Sequence, residues 1–426
     1  MSKDTTGDTG GSQKRRAKKS RHPSTDNFTR ETRRLDGILP EDVDRRKFLS
    51  TVAGGLLMGA AGCIGNDAPA ADATASDSPG QTSGGNASGG DRIFADAKFR
   101  GPWKAEPDWL VQYVAKEEDF WQDRNIVPPE VARGYGSSDT SKRVGTGKLE
   151  FGNSSAVAQA AMLAELDGAP YSVVGTDKPR SQVGLFYKAD GPISGPEDLS
   201  GETVALTNNP FIVRAWKAYQ SLSGAPSDVE TQQGTEATQL SSLKQDEVAA
   251  VIQTVGDIPD YNAAMDSEVQ FDPLYKYKPV YGYTIIANDQ FVEENPEYSA
   301  KILEGYSHAH KWTLLNVEEA LKILREDVNP SLKVQKLETQ RNALRISLVA
   351  TSLTEGYKNN GAAYLNEEVT KNTFDAFNEV IESDVPTSMD EIANTDLQEN
   401  AELAEFSSDE WSQLEEFAGD ATEYFE

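Results

Sequence analysis

The sequence predicts an α/β body followed by a helical C-terminal region. Short β-prone runs alternate with helix-like stretches between residues 92 and 287, the spacing between them is that of βαβ units, and beyond Ala287 the chain carries helix start signals almost without strand signals. In order, β-prone runs occur at Arg92 to Phe99, Glu130 to Tyr135, Leu149 to Phe151, Tyr171 to Val174, Val183 to Tyr187, Thr203 to Leu206, Val248 to Ile252 and Tyr281 to Ala287. Helical stretches lie between them at Trp109 to Gln122, Ala156 to Glu165, Val213 to Leu222 and Glu236 to Lys244. In the C-terminal region, Asn295 before Pro296, Asn316 before Glu318 and Glu319, and Asn366 before Glu367 and Glu368 mark helix starts, with each Asn expected as the N-cap.

Composition bounds the function. The 426 residues carry a formal charge of −28, divided into +5 over residues 1–62 and −33 over the remainder. A body this acidic is no nucleic-acid binder, because phosphates are held mainly by Lys and Arg. A single cysteine, Cys63, excludes an intrachain disulfide framework and a zinc site of the CxxC type. With only His22, His308 and His310, no metal centre and no cofactor are expected; His308 and His310, two apart on a helix, point to different sides. No GxSxG elbow, GxxxxGK[ST] loop, HExxH helix or GxGxxG turn occurs.

The basic N-terminal part is a separate object. A Lys/Arg-rich stretch leads to Arg45-Arg46-Lys47-Phe48-Leu49, then to a 14-residue apolar, small-residue run that ends at Cys63. That run is shorter than the ~20 residues a stable membrane-spanning helix needs and fits the apolar region of a signal peptide. Residues 1–62 resemble a twin-arginine export signal carried by Arg45 and Arg46, and Ala60-Ala61-Gly62-Cys63 resembles a lipobox, with Ala60 where bacterial lipoproteins usually have Leu. Residues 63–91 read as the lipidated Cys63 and a flexible Gly/Ser/Asp tether, since after Ile64 they hold no large apolar residue to offset backbone ordering. Acidity spread along the whole body, together with this signal, resembles exported proteins of salt-loving archaea, in which salt screens the self-repulsion.

Four segments carry a resemblance to a family. Asp198-Leu199-Ser200-Gly201-Glu202-Thr203-Val204 resembles the D-L-x-G-x-x-V phrase that opens the second lobe of the solute-binding proteins of ABC importers, in the group that binds nitrate, sulfonates, taurine or thiamine precursors. Ala115 to Trp121 is similar to A-x-E-x-G-F-F/W with Asp119 in the glycine position, Gly147 to Gly152 to G-x-x-D-F-G with Glu150 for Asp, and Asn288 to Pro296 followed by Glu319-Ala320 to a Pro-initiated helix and its successor. The resemblance covers about 92–330 and implies a two-lobed, periplasmic-binding-protein-like type II fold. Lobe one would be 92–182 plus about 282–345, lobe two 183–281, and about 346–426 a helical extension that braces lobe one or forms an appended bundle. It further implies a monomeric receptor, lipid-anchored through Cys63 outside the cytoplasmic membrane. The receptor captures a small solute by hinge closure and passes it to an ABC permease; it is not an enzyme. Two alternatives stay open: an enzyme of pyrimidine or thiamine-precursor metabolism on the same fold, against which the export signal argues, and a structural surface protein.

In open α/β sheets ligands sit beyond the carboxyl ends of strands, at helix N-termini. The loops expected there name the candidates: Ser137, Ser138 and Asp139; Asn153, Ser154 and Ser155; Thr207, Asn208, Asn209 and Phe211; Thr254 and Asp257; and Trp103 as an aromatic wall, with Trp109 assigned to the core. Ser, Thr and Asn at such positions serve equally well as helix caps. These loops hold Asp139 and Asp257 and, for basic residues, only Lys104, which favours a neutral or amine-bearing solute over an oxoanion.

Overall fold

A computed structural model describes residues 92–165, 170–381 and 385–425. The signal, lipidation and tether expectations, including Arg45, Arg46 and Cys63, lie outside the described residues. Among the described residues ten strands form two five-stranded sheets, in the orders β2-β1-β3-β10-β4 and β7-β6-β8-β5-β9. The first sheet holds β1 (Lys98–Arg100), β2 (Glu130–Ala132), β3 (Phe151–Ser155), β4 (Tyr171–Lys178) and β10 (Tyr283–Asn288). The second holds β5 (Val183–Lys188), β6 (Thr203–Thr207), β7 (Glu230–Gly234), β8 (Ala250–Thr254) and β9 (Val269–Pro273).

Helical crossovers make β1 parallel to both β2 and β3, and β6 parallel to both β7 and β8. One strand in each sheet runs against its neighbours: β10 between β3 and β4, and β5 between β8 and β9. The chain therefore passes from the first sheet to the second between Lys178 and Val183 and returns between Pro273 and Tyr283. Strands covered on both faces read as continuous apolar runs, and every residue of β10 is buried.

Several elements differ from the expected ones. The helix expected over 109–122 is a turn at Pro107–Trp109, a helix at Val111–Glu117 and a turn at Gln122–Arg124. The break falls at Asp119, whose φ of 57° is the left-handed conformation that glycine adopts without strain. Trp121, the last residue of that motif, is fully buried, donates from Nε1 to the Ile302 carbonyl at 3.0 Å, and fits because residue 305 is glycine: a Cβ there would lie 2.2 Å from Trp121 Cδ1. Helices do begin at Pro296, Val317 and Glu367, but only Asn366 caps through its side chain, accepting from the Val369 N–H at 3.0 Å. Asn295 and Asn316 instead donate back to the carbonyls of Phe291 and Trp312, closing the helices before them.

The apolar interior does not stop at the boundary between the sheets. One cluster joins Phe99 and Phe151 to Phe186, Val251 and Leu344, and the other joins Val157 and Val173 to Leu185, Ile252 and Phe374. The C-terminal helices supply the bridge. Glu367–Ile381 lies on both Ala156–Glu165 and Pro210–Ser223 and the final turn Gly419–Phe425 on β9, while Leu337–Leu344, just before this region, lies on both Pro107–Trp109 and Ile258–Ala264. This region neither braces one half alone nor stands apart. Its helix Ser408–Ala418 opens with a reciprocal capping box between Ser407 and Glu410. Ser407→Ala is expected to cost about 1 kcal/mol, seen as a lower urea midpoint with an unchanged slope.

Candidate functional site

Where the two sheets face each other, their carboxyl edges meet. In the first sheet the register sets Ser155, Tyr283 and Lys178 side by side across β3, β10 and β4. In the second, β6 ends at Thr207 and β8 at Thr254, each followed by a helical turn. Tyr283 marks the contact: its ring centroid is 4.4 Å from that of Trp109 and 6.0 Å from that of Phe211, on the opposite lobe. A cavity of about 10 Å³ beside these rings, bordered by Val157, Gln182 and Tyr281, has room for about one water molecule. Larger openings, about 580 Å³ between Val317, Arg341 and Phe417 and about 320 Å³ between Lys188 and Glu247, lie away from this seam.

The charged groups gather along it. Lys178, with no exposed surface, pairs with Asp177 at 3.0 Å, donates to the Asp108 carbonyl at 2.9 Å and lies 5.0 Å from the Trp109 ring centre. Asp177 accepts from the Tyr306 hydroxyl at 2.5 Å. Burial opposes its ionisation, but Lys178, His310 and Tyr306 together outweigh burial and hold the carboxyl below its ordinary range. Asp108 accepts from the Ser347 hydroxyl at 2.5 Å, and Ser347 in turn receives the Gln182 amide at 2.6 Å, so the C-terminal region takes part in the site. From the second lobe Asp257 accepts from the Thr254 hydroxyl at 2.6 Å.

Asp108 and Asp257 keep some exposed surface but are hemmed in by protein atoms. That enclosure pushes Asp108 up to about 6, against the pull of Ser347 and Lys178, and Asp257 up to about 7, against Thr254 and with help from the charge of Asp108. The turn Val255–Asp257 after β8 is close-packed there. A Cβ on Gly256 would lie 2.8 Å from Asp108 Oδ2 and 3.2 Å from Ser347 Cβ.

The structure brings some of the candidate residues to this seam. Ser137 accepts from the Ser155 N–H at 3.2 Å and lies by the Tyr283 hydroxyl; Ser155, Phe211, Thr254 and Asp257 are there as well, and Asn153, two residues back along β3, donates from Nδ2 to the Tyr306 hydroxyl at 3.2 Å. Asn153, Ser154 and Ser155 belong to β3 itself rather than to a loop after it. Ser154 is consumed inside the first lobe by Ser141 and the Ser137 carbonyl. Asp139 is held by Arg100 at 2.7 Å and by Arg143 at 3.0 Å. Ser138 is exposed, and Trp103, 39% exposed, lies near Lys104. Asn209 caps its helix by accepting from the Phe211 N–H, Thr207 accepts from the Asn209 N–H, and Asn208 is exposed, with its N–H on the Gly234 carbonyl. Sequence reasoning missed Asp108, Asp177, Lys178, Tyr283 and Ser347; Trp109, assigned to the core, is buried, and its ring packs on Tyr283. The basic residue of the site is Lys178, whereas Lys104 is paired with Glu106 on an exposed loop. Among the described residues no three His, Cys, Asp or Glu side chains are grouped as a metal site requires.

A family model described as NMT1/THI5 like matches residues 106–320, just over half of the chain. The chain belongs to the NMT1/THI5-like family. No curated protein matches it in sequence. Among solved structures, this NMT1/THI5-like chain is similar to the periplasmic aliphatic sulphonate binding protein SsuA of Escherichia coli, with a TM-score of 0.53 and 16% identity over 74% of this chain and 95% of that one. A Methylobacillus flagellatus KT protein assigned as a periplasmic sulfonate-binding protein gives 0.53 and 12% over 74% and 99%. The ligand binding component of an ABC-type import system from Staphylococcus aureus gives 0.51 and 6% over 72% and 99%. Identities this low speak for the fold, which is the two-sheet, periplasmic-binding-protein-like one expected.

Proposed function

We propose that this NMT1/THI5-like protein is an extracytoplasmic solute-binding receptor of an ABC importer. The observation that carries the reading is the meeting of two carboxyl edges, with Ser137, Ser155, Lys178 and Tyr283 on one side and Phe211, Thr254 and Asp257 on the other. In this fold such an edge is where helix N-termini and strand-end side chains can surround a small molecule. Lobe one is 92–182 with about 282–345, lobe two is 183–281, and the helices after about 346 tie the two. Admission of a solute requires the lobes to separate by a hinge at the two crossings, 178–183 and 273–283, and closure then buries the solute and creates the form a permease recognises. The export signal at Arg45 and Arg46 and the lipid on Cys63 hold this body outside the membrane by the 64–91 tether. The protein makes and breaks no bond. The low-identity sulfonate-binding structures support the architecture; the solute is a separate question.

The test is incubation of the purified full-length protein in high salt with a solute panel, followed by melting and recovery of the solute. A receptor returns the solute unchanged, and at a hundredfold excess over Kd its melting temperature rises by roughly 5 °C. Conversion of the solute would make the protein an enzyme, and a panel with no stabilising member would leave a structural role.

A further inference from the structure

Several acceptor atoms gather at the seam. Asp108 and Asp257 enter it from opposite lobes, near enough for one charge to perturb the other, and each has one carboxyl oxygen engaged by a hydroxyl, Ser347 and Thr254 respectively. On β3, Asn153 Oδ1 and Ser155 Oγ have no hydrogen-bond partner although the two residues are only 1% and 0% exposed. Alternation along the strand places both on one face, and Ser155 stands directly opposite Tyr283 in the antiparallel register, so it shares the side on which Tyr283 meets Trp109 and Phe211. The ammonium of Lys178 is already committed to Asp177 and to the Asp108 carbonyl.

We propose that the solute taken by this seam is a cation, a small molecule bearing a protonated amine or amidinium group whose N–H donors are received by Asp108, Asp257, Asn153 Oδ1 and Ser155 Oγ. The proposal rests on the receptor reading and adds the chemical class of its solute. Closure brings two carboxyls together beside Lys178, which is already paired with Asp177 while it also attracts Asp108, and buried charge is tolerated when paired and hydrogen-bonded. A solute cation supplies that pairing, whereas an oxoanion would face two carboxyls across a few ångströms of poorly screened space. Trp109, Tyr283 and Phe211 supply π-faces against which a cation is attracted. Lys178 over Trp109 is an instance within the chain itself.

The test uses the full chain and two sets of probes, benzylammonium, agmatine and putrescine against ethanesulfonate, benzenesulfonate and nitrate, with calorimetry and thermal melting as readouts. At least one cation is expected to bind. Asp108→Asn and Asp257→Asn should each weaken it at least tenfold, Ser155→Ala several-fold, and affinity should grow as the pH rises through 6 to 7. Circular dichroism of each variant reports folding, and the pH profile of the unaltered chain tests the same claim without substitution. Binding of an anion that the Asn variants retain or improve would overturn the cation assignment and leave the receptor reading standing. Silence from every probe would count against both.

Discussion

Replacing Asp257 with asparagine is expected to stabilise the solute-free protein at pH 8 and to leave it nearly unchanged at pH 4. The Asp257 carboxyl is pushed up to about 7 from an ordinary value of 3.8, chiefly by burial, with Asp108, Glu236 and Asp260 adding negative charge around it and Thr254 opposing. Below about 4 the folded and unfolded chains both hold the proton. As the pH rises, the unfolded chain releases it first, so stability is lost progressively until the folded form ionises near 7. The asparagine variant lacks this loss. Because the site keeps some exposure, the difference is on the order of 1–3 kcal/mol at pH 8 rather than the full value of the shift. Asp108, raised to about 6, behaves alike and faces Lys178, Glu106 and Asp177 as well as Ser347. His310 slopes the other way: buried against Tyr306 and Tyr357, it is pushed down to about 4, so its contribution grows as the pH rises from about 4 to 6.5. The variant-minus-parent difference across pH, from urea melts, isolates the carboxyl; a difference that stays flat from pH 4 to 8 would refute this account of the acid pair.

Gly256→Leu is expected to weaken binding of any stabilising solute at least tenfold while the circular dichroism spectrum stays unchanged. Residue 256 lies between Asp108 and Ser347, so a side chain there pushes the first lobe and the C-terminal region away together. Small misplacements of a closed site are costly because the contacts made only on closure are lost together. Asp108→Gly placed in the Gly256→Leu chain removes the obstructing carboxylate and should recover shape, though not charge. Calorimetry on the single and double variants checks both statements, and wild-type affinity in Gly256→Leu would contradict the close approach.

Much of the fold was legible in the sequence. The helices at Ala156–Glu165 and Glu236–Lys244 stand at the expected bounds, and the alternation of strands with helices matches the α/β class. Strand β7, Glu-Thr-Gln-Gln-Gly, was not legible, because an exposed edge strand needs no apolar residues; its partner β6 supplies the order. Strand β9 was missed as well, a five-residue run at the other edge of that sheet. The site was only half legible. Loops after strands could be named, but Asp108 meets Ser347, and Tyr283 meets Phe211, through contacts set by lobe packing rather than by local pattern. Polar residues at strand ends divide between capping and facing the seam: Asn209 caps, Ser155 faces it, and one-dimensional order does not distinguish them.

Pulsed electron resonance between spin labels on Lys148 of lobe one and Glu230 of lobe two, in a Cys63→Ser background, tests the central claim most directly. Both sites are exposed and lie away from the seam, at the amino ends of their strands. The distance distribution is predicted to be broad or doubled without solute and to collapse to its shorter part when the most stabilising solute of the panel is added. An identical distribution with and without that solute would show a rigid body and contradict closure.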